Sequence, residues 1–260
     1  KALCEDVAVT GSERDGDAMC DVIAELVNSM VNKCGISKDD ISIGVGCPGV
    51  IDSEHGVLVF SGNLALRDYP LAEKIKERVG VSLKITNDAN AAALGEARFG
   101  AGRNYKNSIL VTLGTGVGGG IIIDGKLFEG YKSAGAEIGH MVIERHGDVC
   151  TCGRRGCFEA YCSATALVRR TRRQMEDNPR SAMWTKYTSE TANGKTAFDF
   201  YHDDIDAKEV VDWYIKYLAC GIANLANIFR PEIIMIGGGV SEQGDNLTVP
   251  LQTYVDKELF

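Results

Sequence analysis

Residues 135–159 read GAEIGHMVIERHGDVCTCGRRGCFE, and the rest of the chain is best understood from this stretch outward. It packs three cysteines (Cys150, Cys152, Cys157), His140 and two acids (Glu137, Glu159) into one short segment, with Gly153 and Gly156 allowing tight turns between them. Thiolate sulfur and imidazole nitrogen are zinc ligands, and three Cys with one His complete a closed tetrahedral shell that leaves no open position for catalysis. The fourth ligand is open on sequence grounds: His146 is nearer to Cys150 than His140 is, and Cys162 is a further candidate. The competing reading is a loop of reduced thiols that binds nothing, but the compact, glycine-punctuated C-x-C-G-x-x-G-C spacing favours a metal. A nucleic-acid zinc module would require a second Cys pair and a basic surface, and the sequence has neither.

At 260 residues and 45% hydrophobic content, the chain can bury one large core or two smaller ones. Its net charge of −8 argues against nucleic acid or anionic membrane as a partner. The one basic run, Arg169–Arg173, falls on a predicted helix and reads as a solvated face. Nine cysteines in so long a chain, a third of them crowded into residues 150–157, fit a reducing cytoplasm better than a disulfide framework. No apolar run approaches the roughly 20 residues that a membrane helix needs, and no signal peptide opens the chain.

Upstream of this stretch, residues Leu3–Thr10 alternate weakly and read as an edge strand. Apolar residues from Met19 to Val31 recur on one helical face over Asp15–Cys34, and Gly35 stops the helix. Ile41–Gly46 and Val57–Phe60 are predicted strands, and Leu71–Val79 is an amphipathic helix ended by Gly80. The strand Val81–Thr86 delivers Asn87-Asp88-Ala89-Asn90 onto an alanine-rich helix, Ala91–Phe99. Polar residues at the carboxyl end of a strand, just before a helix, are where open α/β folds place ligand chemistry, although Asn87 or Asp88 could equally be a simple N-cap. The strand Ser108–Leu113 ends in Gly114-Thr115-Gly116-Val117-Gly118-Gly119-Gly120, followed by a strand over Ile121–Ile123. A hairpin alone would explain some of these glycines, but five with a threonine suit a phosphate approaching bare backbone N–H groups.

Downstream, Phe158–Met175 is predicted as one helix, Arg180–Asp204 as a polar surface insertion, and Ala207–Phe229 as a long helix that is either central or at a subunit interface. Ile233–Ile236 is a buried strand running into Gly237, Gly238 and Gly239, which could be no more than a strand-to-helix turn. A helix follows over Thr248–Leu259.

Taken in order, N-D-A-N-A-A-A-x-G-E (87–96), L-G-T-G-V-G-G-G (113–120), G-A-E-I-G-H (135–140), C-x-C-G-x-x-G-C-x-E (150–159) and I-I-x-I-G-G-G-V (233–240) resemble the ROK family of bacterial sugar kinases and sugar-responsive repressors, and within it the ATP-dependent glucokinases. The resemblance implies an α/β chain with an actin-like ATPase/hexokinase (ribonuclease H-like) fold, two lobes with a central cleft, divided here into residues 1–106 and 107–260. It implies Asp88 as the general base toward the sugar's 6-hydroxyl, and Asn63, Asn87, Glu137, His140 and Glu159 as sugar-holding residues. It also implies Gly114, Thr115 and Gly116 at the phosphates of ATP, Gly237, Gly238 and Gly239 beside the adenosine, and His140, Cys150, Cys152 and Cys157 on a structural Zn²⁺. ATP, Mg²⁺ and Zn²⁺ are the implied cofactors, a hexose such as glucose the substrate, and a homodimer the expected assembly. The family's D-x-G-G-T phosphate hairpin and its closing glycine-rich helix are missing from the sequence. The expectation is therefore an internal piece of a complete kinase, weak or inactive by itself.

Overall fold

The computed structural model describes residues 3–9 and 15–260. They group into two compact units, Lys1–Leu94 with Phe128–Gly135, and Gly95–Leu127 with Ala136–Phe260.

In the first unit, helix α1 (Gly16–Cys34) is closed at both ends by its own sequence. The Asp15 carboxylate accepts the Ala18 N–H at the start, and Gly35, at φ 63°, takes the left-handed conformation that ends the helix. Strands β1 (Ile43–Cys47), β2 (Val50–Asp52), β3 (Val57–Ser61) and β4 (Leu66–Tyr69) follow, then helix α2 (Leu71–Val79), strand β5 (Leu83–Asn87) and helix α3 (Asp88–Phe99). Strands β1 and β5 pair in parallel, while β2, β3 and β4 form an antiparallel meander. Met19, Cys20, Ala24, Ile51, Leu58, Leu71, Ile75 and Ile85 make the core between these layers. Arg78 of α2 reaches Asp21 at 2.5 Å and Asp17 at 3.1 Å, tying α2 to α1.

Residues 3–9 form no strand, and Thr10 lies outside the described residues, so the expected edge strand at Leu3 is not there. Cys4 is instead bonded to Cys34, a pairing that a reading of reduced thiols did not anticipate; the other seven cysteines are free. Strands β2 and β4 escaped the sequence reading because each is too short to show alternation.

In the second unit, β6 (Ser108–Leu113), β7 (Val117–Ile123) and β8 (Lys126–Leu127) lead to helices α4 (Phe158–Cys162), α5 (Ala164–Asp177), α6 (Thr196–Asp199) and α7 (Ile205–Phe229), then β9 (Ile233–Gly237) and α8 (Asp245–Glu258). The sheet order is β8-β7-β6-β9, with β9 parallel to β6. Two expectations are corrected here. The predicted helix Phe158–Met175 is two helices, because Ser163 takes an extended ψ of 157° and its hydroxyl caps α5 at Ala166. The polar stretch 180–204 is not a surface insertion: Met183, Ala197 and Phe198 are buried in the core. The long helix is central rather than unpartnered, since Val210, Val211, Tyr214, Ile215, Leu218 and Ile222 spend its apolar surface inside this unit.

Candidate active site and metal centre

The loop after β6 is shorter than its glycine content suggests. Gly118, Gly119 and Gly120 belong to β7, paired with Thr112, Val111 and Leu110, so only residues 114–116 form the turn. For Gly119 the reason is packing: a Cβ there would lie 2.1 Å from Ile138 Cδ1, which the turn Ile138–His140 presses onto β7. The turn itself is pinned to the start of α5. The Ala164 N–H donates to the Gly114 carbonyl at 2.7 Å, and the Thr165 hydroxyl donates to the Thr115 carbonyl at 2.9 Å.

Gly237, Gly238 and Gly239 arrive at the same place. Gly237 pairs with Thr112 at the end of β6. Gly238 adopts φ 84° so close to β6 that a Cβ would meet the Leu113 carbonyl oxygen at 2.5 Å. Both glycine segments therefore meet at the carboxyl ends of two parallel strands, where α/β folds leave backbone N–H groups available to a ligand. Beside Thr115 a groove of about 650 Å³ runs along α5, lined by Thr165, Val168, Arg169, Arg172, Arg173 and Glu176.

The Cys/His stretch folds on itself with little regular structure. The Cys150 N–H donates to the Arg154 carbonyl at 2.8 Å, and the Gly153 N–H returns to the Cys150 carbonyl at 3.0 Å. Gly156, at φ 76°, passes so near Glu144 that a Cβ would fall 1.6 Å from its carbonyl oxygen. These turns gather one ligand atom each from His140, Cys150, Cys152 and Cys157 to within 4.8 Å of one another. His146 and Cys162 are not in that group; of the three candidates for a fourth ligand, His140 is the one the fold brings to the sulfurs.

The spacing suits zinc. With Zn–S near 2.3 Å and Zn–N near 2.0–2.1 Å, the edges of the tetrahedron should be about 3.8 Å for S···S and about 3.6 Å for S···N. The Cys152 and Cys157 sulfurs are 3.7 Å apart, and Cys150 Sγ is 3.7 Å from His140 Nδ1. Burial raises the Cys150 thiol and pushes the Cys157 thiol up to about 12, while the backbone N–H of Arg154 lowers Cys152.

Glu159, in the first turn of α4, is half-buried beside this cluster. Its Oε1 accepts the Thr151 hydroxyl at 3.0 Å and the Cys150 thiol at 3.6 Å, and its Oε2 accepts the Val117 N–H at 3.1 Å. Glycine at 116 leaves room for this carboxylate: a Cβ there would lie 2.4 Å from Glu159 Oε2 and would push it aside. Glu137 is exposed, and its carbonyl accepts the His140 N–H at 3.1 Å.

In the first unit, Asp88 is exposed at the junction of β5 and α3, and its Oδ1 accepts the Ala89 N–H at 2.9 Å. Asn87 is committed to the same corner. Its Oδ1 accepts the N–H groups of Ala89 (2.9 Å) and Asn90 (3.2 Å), while Nδ2 donates to the Gly49 carbonyl at 3.1 Å. Asn63 is exposed in the turn between β3 and β4. Thr151 and Thr165, which fix Glu159 and Thr115, went unnoticed in the sequence. The Ser163-x-Thr165 pair at a helix start was the available signal for the second of them.

The ROK family model matches residues 3–260. A glucokinase from Halalkalibacterium halodurans is 39% identical over 252 residues, 94% of this chain and 76% of that protein. A glucokinase from Thermotoga maritima is 41% identical over 216 residues, 82% and 68% respectively. The crystal structure of a ROK family glucokinase from Streptomyces griseus in complex with glucose and AMPPNP superimposes with a TM-score of 0.83 at 33% identity, covering 94% of this chain and 78% of that one. A xylose repressor from Bacillus subtilis also matches, at 30% identity over 92% of this chain and 59% of its own length. With the motif order, the parallel-strand glycine site and a family match along nearly its whole length in agreement, this chain belongs to the ROK family and has that family's actin-like, hexokinase-type α/β fold.

Proposed function

We propose that the protein transfers the terminal phosphoryl group of ATP to the 6-hydroxyl of glucose. The observation that carries this reading is the meeting of loop 114–116 with Gly237–Gly239 at the ends of β6 and β9, in a chain whose relatives are glucokinases. Phosphoryl transfer asks a protein for in-line positioning and charge stabilisation more than for covalent chemistry. Backbone N–H groups and the Thr115 hydroxyl supply donors for the phosphates of MgATP, and the groove along α5 has room for the remainder of the nucleotide. Asp88, with one carboxylate oxygen held by Ala89, is placed in this reading to accept the proton of the sugar hydroxyl.

Asn63, Asn87, Glu137, His140 and Glu159 are assigned to the sugar because carboxylates, amides and an imidazole bond hydroxyls in fixed geometry. Zinc on His140, Cys150, Cys152 and Cys157 would have four protein ligands and so act structurally, organising the strand-poor segment that carries His140 and Glu159. The domain limits 1–106 and 107–260, a cytoplasmic location and a homodimer belong to the same reading. For the dimer, Ile205 and Ile228 are the large exposed apolar residues that α7 still offers, and sedimentation tests it. No helix among the described residues is long and apolar enough to cross a membrane.

The direct test is a coupled assay of ADP release with glucose and MgATP, with glucose 6-phosphate identified as product. Glucose-dependent release supports the proposal. The repressor relative supports a second reading, sugar-controlled DNA binding. Saturable glucose binding without phosphorylation, under conditions where ATP also binds, would favour it.

A further inference from the structure

The Glu159 carboxylate touches two sites at once. One oxygen faces the Cys/His cluster, accepting from Thr151 at 3.0 Å and Cys150 at 3.6 Å; the other faces the glycine loop, accepting the Val117 N–H at 3.1 Å. The fit on the loop side is close, since a single methyl on Gly116 would come within 2.4 Å of Oε2. Glu159 is carried on α4, whose Phe158 is completely buried and whose N–H is bonded to the Met141 carbonyl at 2.8 Å. The carboxylate is thus mounted on a fixed base, with Thr151 on one side and Val117 on the other.

We infer that Glu159, held by Thr151, is a positioning residue that sets the shape of loop 114–117 for the nucleotide and couples that loop to metal binding at the Cys/His cluster. This rests on the proposed nucleotide site and adds to it. Thr151 lies between two of the cluster cysteines, so any ligand that fixes Cys150 and Cys152 also fixes the backbone from which its hydroxyl reaches Oε1. Thr151 then fixes Oε1, the rigid carboxylate carries the constraint to Oε2, and Oε2 holds the amide that follows Gly116. With Cys150 as a metal-bound thiolate the weak S–H···O contact would be lost, and the Thr151 bond would remain as the connection. A carboxylate accepts at about four lone-pair positions, so these contacts leave Glu159 able to bond a sugar hydroxyl as well. Coupling of this kind is reciprocal: if metal favours the loop shape that binds nucleotide, nucleotide must tighten metal by the same factor.

The test uses the metal-loaded protein and two binding readouts that need no turnover. Affinity for AMPPNP without glucose is measured by calorimetry, and zinc affinity by competition with a chromophoric chelator, with and without AMPPNP. In Thr151→Val, which removes only the hydroxyl, AMPPNP should bind about five- to tenfold more weakly. Zinc should stay at one per chain. Glu159→Ala should show the same loss, whereas Glu159→Gln, whose amide can accept from Val117 and donate to Thr151, should recover most of it. In the wild type AMPPNP should raise zinc affinity, and in Thr151→Val that gain should shrink. Equal AMPPNP affinity in wild type, Thr151→Val and Glu159→Ala would overturn the inference, as would zinc affinity indifferent to AMPPNP. A wild-type protein that binds no AMPPNP at all would instead remove the nucleotide site itself.

Discussion

The corner at Asp88 and the cluster around Cys157 are held together in opposite ways. Asp88 sits where β5 becomes α3, and the contacts that shape it, from Asn87 to Ala89, Asn90 and Gly49, are made by backbone already fixed in a strand, a helix and a tight turn. The cluster draws its ligands from residues 140–157, a segment whose backbone order rests on short bridges such as Val142 with Cys157 and Val149 with Arg155. Three buried or crowded sulfurs have little reason to stay together without a cation between them. The first corner is therefore held by local geometry, and the second, on the proposed zinc reading, is conditional on the ion.

The sharpest way to break this comparison is chemical. Asp88→Asn keeps an oxygen to accept the Ala89 N–H, so the corner should hold its shape while the base is lost. We expect kcat to fall by about 10²–10⁴, with glucose affinity by calorimetry within a factor of about three. A loss under about tenfold would take the base role from Asp88.

Removal of metal should separate the two regions next. Chelation, or Cys157→Ser, should lower Tm by about 5 °C or more. It should also raise hydrogen exchange across residues 135–159, while the amides of Ala89 and Asn90 exchange as before. Unchanged protection at 135–159 in metal-free protein would show that the cluster holds itself together. Smaller still is Gly116→Ala, which forces a methyl into the space of Glu159 Oε2. The KM for ATP should rise about tenfold, or roughly 1.4 kcal/mol, with Tm nearly unchanged; an unaltered KM would mean the loop shifts freely.

The same contrast governs what was legible in the sequence. Helices α1 and α2 could be read because the helix period and the stops at Gly35 and Gly80 act within a few residues. Strands β2 and β4, of three and four residues, exist because β3 pairs with both, which no short window reveals. The break at Ser163 was hidden because a capping serine and a helical serine look alike until its hydroxyl is seen on Ala166. Buried Met183 and Phe198 were hidden in a polar stretch for a related reason: isolated apolar residues carry no period. At the site, ligand types were legible from spacing, but the choice of His140 over His146 depended on the fold of the intervening turn. The glycines of loop 114–120 were the most misleading. Three of the five lie within strand β7, where Gly119 makes way for Ile138, and a fourth, Gly116, makes way for Glu159.

Asn87 gives the smallest predicted effect and the most discriminating one for the Asp88 corner. Its side chain makes three hydrogen bonds, two accepted from the first turn of α3 and one donated to Gly49. All three are structural, so a role in holding sugar would have to be filled by what little bonding capacity is left. Asn87→Ala should cost about 1 kcal/mol of stability through the lost cap. Asn87→Asp keeps the acceptors for Ala89 and Asn90 but sets a carboxylate oxygen against the Gly49 carbonyl, so it should cost at least as much. If Asn87 only shapes the corner, glucose affinity should follow stability and change about twofold or less in both variants. A tenfold weaker glucose complex in Asn87→Asp, with Tm no lower than in Asn87→Ala, would mean that the amide donor belongs to the substrate, and that this corner too is completed by what it binds.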